Sequence, residues 1–171
     1  MAELHVTSPS NPRLKEVLAL RRRRVREEQA RTVVEGFEEL RLALDAGVVP
    51  STVLHCPELM LDPGTQGALV EQARGMGAAT LRLSRAGWWK GGCRGWPDGF
   101  LAVVPVAGVA LDDLSLPPDP LVLVCEGLEK PGNLGAVLRT ADAAGVAAVV
   151  AASPVTDWGN PNVVRASKGT V

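Results

Sequence analysis

The sequence has no uninterrupted apolar run of about 18 residues, the length at which a helix becomes a candidate to cross a bilayer. Met1 to Thr7 also lacks the basic flank and apolar stretch of a secretion signal, so the expected setting is the cytoplasm with no membrane partner. Thiols and imidazoles are scarce. Cys56, Cys93 and Cys125 are odd in number and far apart, form no C-x-x-C pair, and have only His5 and His55 as possible imidazole companions. A disulfide framework and a metal site are therefore not expected, and reduced thiols are. Charge of one sign is missing too: a net charge of −1 argues against bulk, sequence-blind binding of a polyanion, so any nucleic-acid contact has to be local. The G-x-G-x-x-G spacing of a dinucleotide loop, the Gly-Lys-Ser/Thr ending of a phosphate loop and any internal repeat are absent as well.

What is present is enough apolar matter, 46% of 171 residues, for one medium domain or two small ones. One local charge asymmetry stands out. From Arg13 to Arg26 there are seven cations (Arg13, Lys15, Arg21, Arg22, Arg23, Arg24 and Arg26) against one acid, Glu16. The preceding Thr7 to Pro12 is turn and cap chemistry, and Leu14, Val17, Leu18 and Val25 recur at helical spacing, which predicts one helix over 12–29. The cations then form either a solvated helix face or an RNA contact. Further on, the pattern predicts strands at 32–34, 52–56, 79–83 and 100–106. A helix is expected to end at Gly47, and another over 65–76 to end at Gly77. Such alternation implies a mixed α/β layer. Residues 88–99 are expected as a loop. Its Trp88, Trp89 and Trp96, with Lys90 and Arg94, can either stack on unpaired bases or tuck against the core. The proline-rich stretch around 112–120 is expected to be a linker, dividing the chain into 1–106, 107–120 and 121–171.

Beyond the linker, apolar strands at 121–125 and 146–152 flank a helix over 133–144, a βαβ unit with a parallel pair. Ligands in such sheets sit beyond the carboxyl ends of the strands, which points to Glu126 to Gly135. Asn133 is expected as the helix N-cap, with Gly132 and Gly135 leaving the first turn bare. Arg139, four residues after Gly135, leans back over that patch, where an oxygen-bearing anion would fit and where Glu126 could orient the guanidinium. Each residue taken alone also has a plain structural reading as cap, packing glycine or surface cover. Near the end, Asn160-Pro161 and Gly169 have the form of the start and stop of a short helix.

Pro131-Gly132-Asn133-Leu134-Gly135, followed by Arg139-Thr140-Ala141 and Ala144-Gly145, resembles the first signature motif of the SpoU/TrmH family of RNA ribose 2′-O-methyltransferases. Asn160 to Gly169 resembles the block that follows it. Ser8 to Lys15 and Glu35-Gly36 resemble the small RNA-recognition domain of the ribosomal-RNA members. The resemblance spans nearly the whole chain. It implies a small mixed α/β RNA-recognition domain, then part of a parallel-sheet domain of the trefoil-knot type. It also implies S-adenosylmethionine as methyl donor, RNA, expected to be ribosomal, as partner, and a homodimer. Asn133 and Arg139 match the family's catalytic polar residues, while Asn11, Arg13, Lys15, Arg22, Arg23, Arg165 and Lys168 are the expected RNA contacts. Because a guanidinium keeps its proton at pH 7, the expected role of Arg139 is to clamp phosphate and steady the acceptor oxygen, with Asn133 fixing it. The motifs that grip the donor lie downstream in that family and the sequence stops at Val171, so the donor pocket is expected beyond it. The alternatives are a non-catalytic RNA-binding protein of the same fold and a nucleotide-binding protein using 132–135.

Overall fold

A computed structural model describes residues 4–8, 10–90 and 98–171. The chain forms two compact units, Met1–Pro105 and Val106–Val171, and the proline-rich segment belongs to the second.

The first unit is built on a five-stranded sheet of order β1-β4-β3-β5-β2, comprising β1 (Leu4–Val6), β2 (Arg31–Glu35), β3 (Thr52–His55), β4 (Ala79–Leu83) and β5 (Phe100–Pro105). β1, β4 and β3 run parallel, and β5 is antiparallel to both β3 and β2. Side chains alternate across such a sheet. The face of Val33, Leu54, Leu81, Leu101 and Val103 joins Leu14, Val17 and Leu20 in one buried cluster. Helices α3 (Phe37–Asp45) and α4 (Pro63–Gly75) add the buried Leu40, Leu44, Leu69, Val70 and Ala73.

The single helix expected over 12–29 is in fact two, α1 (Pro12–Ala19) and α2 (Arg23–Gln29). Asn11 caps α1 by accepting from the Arg13 amide at 2.9 Å, as its side chain type favours. The break has a physical cause in Arg26. This residue is 3% exposed, and its guanidinium donates to the carbonyls of Leu20 (2.9 Å) and Arg21 (2.8 Å), which the helix end leaves unpaired. Arg22 is extended there, at φ −85° and ψ 127°. Apolar periodicity reads through such a break because the interruption is made by a polar group donating to backbone.

Residues 88–90, expected within a loop, belong to α5 (Arg85–Lys90), started by Ser84, whose hydroxyl accepts from the Gly87 amide at 3.1 Å. Trp88 is fully buried and serves the core, while the half-buried Trp89 packs on the same cluster. Arg94 and Trp96, like Cys93, lie outside the described residues. Of the other thiols, Cys56 is buried, Cys125 half-buried and both are free, and burial raises the Cys56 thiol's pKa. No described group of His, Cys, Asp or Glu could hold a metal ion, and no described helix is long and apolar enough to cross a membrane.

α4 begins at Asp62, whose carboxylate accepts from the amides of Gly64 (3.0 Å) and Thr65 (3.3 Å). The Thr65 hydroxyl, and then these amides, hold the carboxyl below its ordinary 3.8. Folding thus lowers this pKa, so the ionised cap adds stability above the unfolded value and loses it as pH falls through the folded one. In urea titrations the wild-type chain is expected to exceed Asp62→Asn at neutral pH, with the gap closing as pH drops well below 3.8. A gap that stayed constant with pH would show that ionisation contributes nothing.

The second unit contains β6 (Val122–Glu126), α6 (Pro131–Ala143), β7 (Ala148–Ala152) and α7 (Pro161–Ser167). β6 and β7 form a parallel pair with Glu126 opposite Ala152, as the βαβ pattern predicts. Leu134, Leu138 and Val163 form its core, with Val149 and Trp158 packed on them. Parallel strands are normally covered on both faces, yet Leu121 is 57% and Val124 63% exposed.

Candidate functional site

α6 starts earlier than the sequence suggested. Its N-cap is Lys130, extended at φ −87° and ψ 125°, and Pro131 occupies the first turn. The residue before a proline is pushed to extended geometry, and the proline's fixed φ with no N–H suits the first helical position. Asn133 is therefore inside the first turn and is not the cap: its amide donates to the Lys130 carbonyl at 3.0 Å and its side chain is exposed. The local signal was Pro131, which outranks an asparagine two residues later.

Gly135 is buried and presses against α7 rather than leaving a bare patch. A Cβ there would stand 2.5 Å from the Ala166 Cβ, 2.7 Å from the Ala166 carbonyl carbon and 2.9 Å from the Ser167 amide nitrogen. Two of those atoms are backbone, so one helix would have to move. Gly132, by contrast, is exposed with nothing near. We expect Gly135→Ala to destabilise by about 1 kcal/mol or more in denaturant titrations. The overpacking cost of roughly 1–3 kcal/mol exceeds the gain of up to about 1 kcal/mol from helix propensity. A stabilised variant would show that α7 can shift freely.

Arg139 leans toward the α6 N-terminus, as helical side chains do, and donates to the Ala166 carbonyl beside Gly135. It thereby satisfies one of the carbonyls left open at the end of α7. Among the described residues neither Asn133 nor Glu126 bonds it. Asn133 and Arg139 are six residues apart, about 9 Å along the axis and on different faces, so the expected fixing of the guanidinium by Asn133 is not observed. Its observed partner is a backbone carbonyl, which no reading of residue types would reveal. α7 is capped by Asn160, accepting from the Asn162 amide at 3.0 Å, and ends at Lys168 in the left-handed region (φ 56°), followed by Gly169 (φ 89°). Arg165 is exposed and within 3.5 Å of the Asn162 side-chain oxygen. Arg165 and Lys168 thus share the α7 terminus with the Ala166 carbonyl, which packs against Gly135 near the α6 N-terminus that also carries Asn133.

In the first unit, Arg13, Lys15 and Arg22 are exposed, and Asn11 is committed to its cap. Arg23 pairs with Glu27 at 2.7 Å and Arg24 with Glu28 at 2.6 Å. The cluster is therefore less cationic than its count suggests, because α2 carries its own counterions and Arg26 is buried. The glycine of Glu35-Gly36 is explained locally. At φ 111° it turns the chain from β2 into α3, whose first amide, on Phe37, donates to Asp98 at 2.6 Å.

The chain is thus an α/β unit with a mixed sheet, followed by a parallel βαβ unit whose glycine-containing helix carries an arginine beside a second helix. Residues 11–102 match the MRM3-like substrate binding domain and residues 120–171 the SpoU rRNA Methylase family. The chain belongs to this SpoU/TrmH family. An uncharacterised tRNA/rRNA methyltransferase of Synechocystis is 29% identical over 168 residues, covering 96% of this chain and 58% of its own. The human mitochondrial rRNA methyltransferase 3 is 29% identical over 175 residues, covering 94% and 38%. A solved RNA 2′-O ribose methyltransferase matches at 38% identity and TM-score 0.74, covering 98% of this chain and 62% of its own. The rRNA methyltransferase of Sinorhizobium meliloti, 24% identical with TM-score 0.83 over 98% and 62%, shares the fold. The chain thus spans well under two thirds of the curated relatives it matches.

Proposed function

We propose that this chain supplies the RNA-binding domain and the first part of the catalytic domain of an S-adenosylmethionine-dependent ribosomal-RNA ribose 2′-O-methyltransferase, working as a cytoplasmic homodimer. The observation that carries the reading is Arg139, exposed on α6 and held by the α7 backbone in the segment that matches the family. The proposed division of the chain, with RNA held by 1–106, a linker at 107–120 and chemistry based in 121–171, is supported by these two matches. A guanidinium so placed can clamp an RNA phosphate and steady the 2′-oxygen as its proton leaves, and Asn133 is available to bond the ribose. Arg13, Lys15, Arg22 and Arg23, with Arg165 and Lys168, are the proposed backbone contacts, and Asn11 orders the start of α1.

The methyl donor supplies an electrophilic methyl group when bound. Among the described residues, the cavity of the second unit does not fit that group. The cavity of about 460 Å³ in the second unit is walled by Ala, Val and Leu side chains and Trp158, with Asp142 its one charged side chain, so it offers no cation to the donor's carboxylate. We assign donor binding to the additional length that the matched relatives possess. The exposed Val124 on β6 supports a covered sheet face in the assembled protein.

The test is methyl transfer from isotope-labelled S-adenosylmethionine to unmodified ribosomal RNA by the full-length protein, with nucleoside mass spectrometry to locate the label. Label on a ribose 2′-oxygen supports the reading. RNA binding without any transfer favours a non-catalytic RNA-binding protein of the same fold.

A further inference from the structure

In the first unit, a slot of about 210 Å³ opens between α1 and the strand-start end of the sheet. Register explains why it exists. Thr52, Ala79 and Val103 are partners across β3, β4 and β5, so they share a face, and this is the face on which Leu54 and Leu81 fill the core two residues further along. At the strand starts the small Thr52 and Ala79 stand where leucines would close the gap. Val17, Leu20, Leu81 and Val103 form an apolar floor.

The rim is polar and organised. Arg31 donates to the Gln29 side chain at 2.7 Å and lies 3.5 Å from Glu16, so its planar guanidinium is held in place at the mouth. Arg13, exposed, stands on the same rim. The volume lies below the roughly 300–1,000 Å³ of pockets that enclose drug-sized ligands, which suits a single planar ring. An apolar floor, a fixed guanidinium plane for stacking and side-chain donors and acceptors at the edge are what recognise an unstacked base. Neighbouring cations suit the attached phosphates.

We propose that this slot receives one unpaired base of the RNA, with Arg31 stacked on it and Arg13 on its phosphate. The inference rests on the RNA-binding reading above and adds a specificity-determining site to it. The probe is a fluorescein-labelled single-stranded RNA of about 12 nucleotides and mixed sequence, read by anisotropy with the full chain. Ala79→Phe, which fills the slot without changing charge, is expected to raise Kd roughly tenfold. In the unmodified chain, methyl NMR during the same titration is expected to show shifts at Val17, Leu20, Leu81 and Val103. RNA that binds while these methyl groups stay still and Ala79→Phe binds as wild type overturns the slot alone. An unmodified chain that binds no RNA overturns the RNA-binding reading and the slot with it. The NMR arm decides the matter if Ala79→Phe does not fold.

Discussion

Arg139→Ala in the full-length protein is expected to lower kcat for ribose methylation by roughly 10²–10³-fold, the loss typical when one preorganised donor to a developing oxyanion is removed. The KM for RNA should change far less, since one phosphate contact among many is lost. The same guanidinium also donates to the Ala166 carbonyl, so removal costs stability as well, about 1 kcal/mol for one hydrogen bond at an exposed helix end. The two effects separate by size and by readout. A loss of about 1 kcal/mol leaves a domain of ordinary stability almost wholly folded and cannot by itself lower kcat a hundredfold. Thermal denaturation and single-turnover kinetics on one preparation test this. Activity falling only in step with the unfolded fraction would reduce Arg139 to a cap for α7. Arg139→Lys should recover little, because an ammonium lacks the planar fork that bridges two oxygens.

Trp88→Ala is expected to cost about 3–5 kcal/mol, the largest stability effect of any substitution considered for this chain. The indole is fully buried among Val6, Leu83 and their neighbours, and deleting it leaves a cavity the sheet cannot close. Against a typical total of about 5–15 kcal/mol, this moves the urea midpoint sharply. The result also decides the role of this tryptophan. Should the midpoint hold while RNA affinity collapses, Trp88 would be a stacking residue and its burial would not describe the protein in solution.

The elements legible in the sequence were those set by local rules. Leu121 to Cys125 and the alanine–valine run before Ala152 read as strands of a parallel pair, and β6 and β7 match within one or two residues. Ala79–Leu83 was placed to the residue, and Gly47 and Gly77 follow their helices at positive φ as C-terminal glycines do. Asn160-Pro161 opened α7 as expected. Three features escaped. The break at Leu20 to Arg22 and the burial of Gly135 depend on which backbone groups a side chain or a second helix reaches, which residue type alone does not reveal, whereas the α6 start at Lys130 was written locally in Pro131. Arg26 looked like one more surface cation because burial of an arginine is rare until carbonyls converge on it.

By itself the sequence determined the family and the α/β class of both parts, because these follow from short motifs, hydrophobic period and turn residues along the chain. Tertiary structure alone decided what individual side chains touch. It put the Ala166 carbonyl within reach of Arg139, gave two arginines of the basic cluster their own glutamates, buried a third, and opened a slot over Leu81 where β3 and β4 begin with small side chains. The physical reason is that propensity acts between near neighbours in sequence, whereas hydrogen-bond partners, close helix contacts and cavities are properties of groups brought together by packing.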